Sequence, residues 1–291
     1  MKLLLFGHQG QLGSYLSTSL QSLGEIARYD QAECDLMDLA RVRAVIRTER
    51  PQVIVNASAY TAVDQAEQEE ATARRLNAEA PGVMAEAARE LGALLVHYST
   101  DYVFDGSATI PYMESSPTAP LGAYGRTKLA GEQAVAAAGD RHVILRTAWL
   151  YSNRGRNFLR TMLRLAEERD ELRVVDDQVG CPTYAALVAL ATARIIERLH
   201  APDAAHPYGL YHLACRGSTS WCNFARRIVQ LAGRAQAVRV TPIPTRDYPT
   251  PAQRPAYSVL ECSKLAQDYG ISLPSWESGL EQCFADRRAG H

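Results

Sequence analysis

A doubly wound α/β fold, with a parallel sheet in the first half of the chain and a smaller α/β domain after it, is predicted by three features of the sequence. The first is a short strand at 2–6, apolar from Leu3 to Phe6, which flows into Gly7-His8-Gln9-Gly10-Gln11-Leu12-Gly13 and then into an apolar-periodic helix. Strand, glycine turn and helix in that order make the phosphate-binding turn of a Rossmann fold. The second is the alternation of further apolar runs, at 26–29, 53–56, 93–99 and 143–147, with amphipathic segments, as parallel strands joined by crossover helices require. The third is a change of rhythm after about Trp149, where Pro242, Pro244, Pro249, Pro251 and Pro255 interrupt the last third. These divide the chain into a dinucleotide-binding domain, 1–148, and a substrate domain, 149–291, lying over the carboxyl ends of the strands. A segment near 183–215 is the candidate for returning to the first domain.

Taken in order, the glycines of the first turn allow a tight bend and close approach of backbone amides to a pyrophosphate. Gly7, Gln9, Gly10, Gln11, Leu12 and Gly13 are therefore candidate cofactor contacts. The second strand ends at Asp30, whose carboxylate can accept from an adenosine ribose 2′-OH and would repel a 2′-phosphate; Asp35 and Leu36 are placed to border the adenine. Asp38 is the expected N-cap of a helix ending before Pro51. The third strand closes on Asn56-Ala57-Ser58-Ala59-Tyr60, small residues that let the backbone approach a cofactor ribose. A long helix at 73–91 is closed by Gly92. The fourth strand runs into Ser99-Thr100-Asp101-Tyr102, with its hydroxyls expected to face the helix that carries Tyr124.

That helix holds Tyr124 and Lys128 four residues apart, on one face. An ammonium beside a phenol favours the phenolate, bringing a group of pKa about 10 into use as a proton donor nearer neutral pH. Thr100 can hydrogen-bond the same carbonyl oxygen and polarise it for hydride attack. Carbonyl reduction with NADPH or NADH follows as the expected chemistry.

The rest of the composition narrows the partners. Hydrophobic residues are 47% of the 291, charged residues 22%, and the net charge is -1, so no electrostatic footprint points to nucleic acid or an anionic membrane. The run at 3–6 is too short for a signal peptide and no stretch reads as a membrane span, leaving the cytoplasm as the default compartment. Six cysteines form no C-x-x-C pair and read as buried thiols. Seven histidines show no ligand spacing, so no metal site is expected.

The chain resembles the dTDP-4-dehydrorhamnose reductase family of the extended short-chain dehydrogenases, nearly end to end. The resemblance rests on the glycine turn, Val53 to Glu67, His97-Tyr-Ser-Thr100-Asp101-Tyr102-Val-Phe104, Tyr124-Gly-Arg-Thr-Lys128, Arg146-Thr-Ala-Trp149, Asp177-Gln-Val-Gly180-Cys-Pro182-Thr183 and Arg254-Pro255. It implies reduction of the C4 ketone of dTDP-4-dehydro-β-L-rhamnose to dTDP-β-L-rhamnose, for cell-surface polysaccharide. Tyr124 would donate the proton, Lys128 would hold the nicotinamide ribose and lower the Tyr124 pKa, and Thr100 would polarise the ketone. Thr61, Val63, Asp101 and Tyr102 would border sugar and cofactor, Trp149 would face the deoxysugar methyl, and Asn157 and Arg254 would meet the nucleotide diphosphate. Some members bind magnesium through glutamates at a dimer interface where this chain has Tyr15 and Ala186. A homodimer remains the candidate assembly, and a magnesium-linked one is disfavoured. The competing readings are another nucleotide-sugar enzyme, against which Asp101-Tyr102 replaces the Asp-Glu pair of dehydratases, and a non-catalytic NADP-binding regulatory subunit like the β subunit of methionine adenosyltransferase.

Overall fold

The computed structural model describes residues 1–201 and 207–290. Five strands appear where the apolar runs stand: β1 (Lys2–Phe6), β2 (Glu25–Tyr29), β3 (Val53–Asn56), β4 (Leu94–Thr100) and β5 (His142–Thr147). With a sixth strand, Gly209–His212, they form one parallel sheet in the order β2, β1, β3, β4, β5, sixth. Alternate residues of each strand enter different cores: Leu3 and Leu5 face one, Leu4 and Phe6 the other. Leu3, Leu4 and Leu5 are fully buried, each stabilising the fold by roughly 1.5–3 kcal/mol. A sheet apolar on both faces needs helices on both. Helix α1 (Gly13–Ser19) and the helix Ala185–Leu199 pack together on one side; α2 (Leu39–Glu49), Ala80–Leu91 and Ala123–Ala138 cover the other.

Local signals act as the residue types require. Asp38 caps α2, accepting from the Arg41 N–H at 2.9 Å. Gly92 ends its helix with φ +65°, in the left-handed region. The long helix begins at Glu70 and runs through a π-helical turn at Arg75–Glu79 before Ala80–Leu91. That turn presents Asn77 to the loop after β3, where its Oδ1 accepts from the Tyr60 N–H at 2.9 Å and its Nδ2 donates to the Tyr60 carbonyl at 3.1 Å.

After β5 the chain is woven rather than segregated. The helix Ala185–Leu199 and the strand Gly209–His212 belong to the sheet layer, whereas residues 202–206 of that segment lie outside the described residues. The remainder forms three two-stranded pairs, Leu150–Tyr151 with Thr183–Tyr184, Glu171–Val175 with Arg239–Ile243, and Val179–Gly180 with Thr219–Ser220. Helices Phe158–Glu168 and Trp221–Leu231 pack beside them. Among the described residues no helix is long and apolar enough to cross a membrane, and no group of three or more His, Cys, Asp or Glu is placed to hold a metal ion.

Candidate functional site

The strand order reverses between β1 and β3, and ligands of open α/β sheets bind at the carboxyl ends beside such a reversal. A cleft of about 800 Å³ opens there. Gly7, at the end of β1, has φ +79°, and a Cβ on it would stand 2.5 Å from Ser58 Oγ at the end of β3. A Cβ on Gly13 would stand 1.9 Å from the Gly7 carbonyl. Turn and strand end are thus pressed together in a way only glycine permits. Gly10, Gln11 and Leu12 line the cleft from the turn, and Ala57, Ser58, Ala59 and Tyr60 from β3. Gln9 and Gly13 do not line it; Gly13 packs under the turn, and the Gln9 N–H donates to Asp30 Oδ2 at 2.9 Å. Asp30, Asp35 and Leu36 line the β2 end, where Thr72 and Leu76 of the long helix join them.

The chemistry-bearing groups converge from β4 and the helix Ala123–Ala138. Thr100, 5% exposed, closes β4; its Oγ1 donates to Asp101 Oδ1 at 3.1 Å and accepts from the Tyr102 N–H at 3.2 Å. The Thr100 hydroxyl also bears on the Tyr124 phenol, favouring its ionised form. Lys128, four residues on, is 2% exposed; its Nζ donates to the Tyr98 carbonyl at 2.6 Å and lies 3.5 Å from His97 Nε2. Burial holds His97 well below its ordinary pKa, so this imidazole is neutral. The helix is seated by backbone contacts. A Cβ at Gly125 would stand 2.2 Å from the Tyr102 carbonyl, which explains the small residue beside the phenol. Glu67 Oε1 accepts from the Ala123 N–H, at the helix start, at 2.7 Å. Beneath lies a buried ion pair: Arg146 Nε and Nη2 reach Glu132 Oε1 and Oε2 at 2.8 and 2.6 Å, and the Ser99 hydroxyl donates to Glu132 Oε1 at 2.5 Å.

The electrostatics differ from expectation in one respect. Lys128 was expected to lower the Tyr124 pKa, but desolvation of the phenolate pushes Tyr124 up to about 12, opposed by the Thr100 hydroxyl. Burial likewise pushes Lys128 down to about 8. The ammonium is held by a backbone carbonyl, and removing the phenolate from water costs more than neighbouring groups return. Tyr124 is therefore a protonated donor through the neutral range. Burial also raises Asp101 to about 6, against the hydroxyls of Ser258 and Thr100.

The far wall is less as the motifs suggested. Thr61, Val63, Asp101, Tyr102, Trp149 and Asn157 all line the cleft. Asn157, however, caps the helix Phe158–Glu168, accepting from the Arg160 N–H at 3.1 Å while its Nδ2 donates to the Ser152 and Arg154 carbonyls at 2.9 and 3.0 Å. Arg254 does not line the cleft: its Nη1 and Nη2 grip Asp64 Oδ1 and Oδ2 at 3.0 and 2.9 Å, and Nη1 also donates to Thr250 Oγ1 at 2.5 Å. A guanidinium with a carboxylate in reach takes it when no phosphate competes. Arg156, an exposed neighbour of Asn157, lines the cleft instead, as do Thr147 and Trp221. Arg156 and Trp221 carried no sequence signal of their own, whereas Thr147 closes the apolar run at 143–147. Trp221 follows Ser220, whose hydroxyl caps the helix Trp221–Leu231, and an N-cap pattern alone cannot say that the next ring meets Trp149, 72 residues away.

The residues fit a dinucleotide by the glycine cradle and by buried polar atoms of the cleft wall, Gln11 Oε1 and Thr147 Oγ1, that have no protein partner. The comparisons with known proteins agree with this geometry. The family model described as RmlD substrate binding domain matches residues 1–289. The chain is 45% identical to a dTDP-4-dehydrorhamnose reductase of Burkholderia thailandensis over 98% of this chain and 99% of that one. Among solved structures, a dTDP-4-dehydrorhamnose reductase of Clostridium acetobutylicum superposes with TM-score 0.93 at 38% identity, covering 99% and 100% of the two chains. One from Bacillus anthracis, solved in complex with NADP, superposes with TM-score 0.92 at 38% identity, covering 98% and 99%. By the length of the family match and the identity of these relatives, the chain belongs to the RmlD family of dTDP-4-dehydrorhamnose reductases.

Proposed function

We propose that this chain reduces the C4 ketone of dTDP-4-dehydro-β-L-rhamnose to dTDP-β-L-rhamnose with NADPH or NADH, in the cytoplasm. The observation that carries the reading is the meeting of the Thr100 and Tyr124 side chains at the end of β4, beside buried Lys128 and in one cleft with the glycine turn. The names of the relatives supply the sugar nucleotide, and the Bacillus anthracis relative supplies NADP as a cofactor of that protein.

The glycine turn, with Ala57 and Ser58, would hold the dinucleotide, and when bound the nicotinamide supplies a hydride. Thr100 and Tyr124 offer two hydroxyls to one carbonyl oxygen, stabilising the negative charge that develops there. Tyr124 gives its proton to that oxygen. A phenol near 12 keeps its proton until the oxygen becomes basic, which suits a donor rather than a resting base. Lys128 keeps a positive charge below the phenolate left behind, and its bond to the Tyr98 carbonyl fixes the ammonium within the wall. Trp149 supports the sugar from the far side, and Arg156 is the cleft cation best placed to meet a diphosphate, since Arg254 is engaged by Asp64.

The test is a coupled assay in which dTDP-glucose, a 4,6-dehydratase and a 3,5-epimerase generate the ketone in place. Oxidation of NAD(P)H that depends on all three is expected; none with either cofactor would refute the proposal.

A further inference from the structure

Trp149 is one of two non-glycine residues with positive φ among the described residues, at +46°. A bulky residue there is strained and persists only where its surroundings hold it. Three contacts do so. Its indole lies parallel to that of Trp221, with centroids 3.5 Å apart and planes 3° apart. The other face of the indole lies on Gly180, where a Cβ would stand 2.4 Å from Trp149 Cε2 and 2.6 and 2.7 Å from Nε1 and Cζ2. Phe158 in turn braces Trp221, at 4.5 Å and 45°. Trp149 is therefore held between Trp221 and Gly180, and both indoles are half-buried in the cleft wall.

We propose that Trp221 is a positioning residue that sets the plane of Trp149 and so determines how tightly the sugar end of the nucleotide substrate is held. The inference rests on the proposed function for the identity of that substrate. Contact with Gly180 on one face alone leaves the ring free to tilt; the parallel stack on the other face removes that freedom and fixes which edge of Trp149 is presented to an apolar patch of a deoxysugar. Among the described residues the ring contacts of the two indoles are with each other, Phe158 and Phe224 and not with Tyr124, so cofactor affinity should be independent of the stack.

The test compares Trp221→Leu and Trp221→Phe with the wild type in three measurements. These are the dissociation constant of dTDP-β-L-rhamnose by calorimetry, the dissociation constant of NADPH by fluorescence titration, and the circular dichroism couplet of two stacked indoles. Trp221→Leu is expected to abolish the couplet, weaken dTDP-β-L-rhamnose by about tenfold, and change NADPH affinity less than about twofold, whereas Trp221→Phe restores most sugar-nucleotide affinity by keeping a flat ring. In turnover the loss should appear in KM rather than kcat. A Trp221→Leu variant that binds dTDP-β-L-rhamnose as the wild type does, or loses NADPH affinity equally, overturns the inference. So does a wild type that does not bind the sugar nucleotide. Absence of turnover with binding intact counts against the proposed function alone, because calorimetry needs no reaction.

Discussion

The near wall of the cleft takes its groups from strand ends and the residues that follow them, so that Gly7, Ser58, Thr100 and Asp101 are placed by the sheet itself. The far wall gathers Trp149, Arg156 and Trp221 from separate loops and a helix start, and the Trp149 ring is held between Trp221 and Gly180, neighbours that the sheet does not supply. The difference teaches where rigidity comes from. A parallel sheet buried on both faces fixes its strand ends to within hydrogen-bond tolerance, whereas the far wall depends on a ring stack and one strained backbone. Near-wall substitutions should therefore act on the chemical step or on the fold as a whole, and far-wall substitutions on substrate affinity.

The largest effect should come from the near wall. Tyr124→Phe removes the proton donor and leaves the ring, so kcat is expected to fall by about 10²–10⁴-fold with NADPH affinity retained. Retention of near-normal kcat would break the assignment of the donor.

Next is the support beneath it. Glu132→Ala strips a bidentate partner from Arg146, which is 2% exposed, leaving a buried uncompensated charge. A loss of about 3–5 kcal/mol in urea unfolding is expected, and a loss below about 1 kcal/mol would show that the pair is peripheral to the sheet's stability.

Asp101 gives a pH-dependent effect of intermediate size. Its folded carboxyl, raised to about 6 from an ordinary 3.8, binds an extra proton on folding within that window. The carboxylate therefore destabilises the fold increasingly as pH rises from 3.8 to 6, and by a constant amount above. Asp101→Asn is expected to raise stability by up to roughly 3 kcal/mol at pH 8 and by almost nothing at pH 4. Equal gains at both pH values would mean that desolvation of the charge is not the cause.

The smallest effect is expected outside the cleft walls, at the pair of Arg254 and Asp64. Asp64→Ala deletes a half-exposed ion pair, 22% and 41% exposed at its two side chains, so stability should change by no more than about 1 kcal/mol. If Arg254 meets phosphate once released, the same variant binds dTDP more tightly; unchanged affinity would leave Arg254 a structural tether.

The sequence by itself determined five of the six strands of the sheet and the groups at their ends, because those depend on short-range patterns: apolar runs, glycines at a forced turn, caps such as Asp38 and Gly92, and the i, i+4 spacing of Tyr124 and Lys128. The tertiary structure alone decided the rest. It set the direction in which burial moved the Tyr124 and Lys128 pKa values, since desolvation depends on what lies above a side chain rather than on what adjoins it in the chain. It drew Arg254 out of the cleft to Asp64, engaged Asn157 as a helix cap and brought Trp221 onto Trp149. Each of these pairs residues that meet only when loops from distant segments close over the sheet, and no local spacing encodes such a meeting.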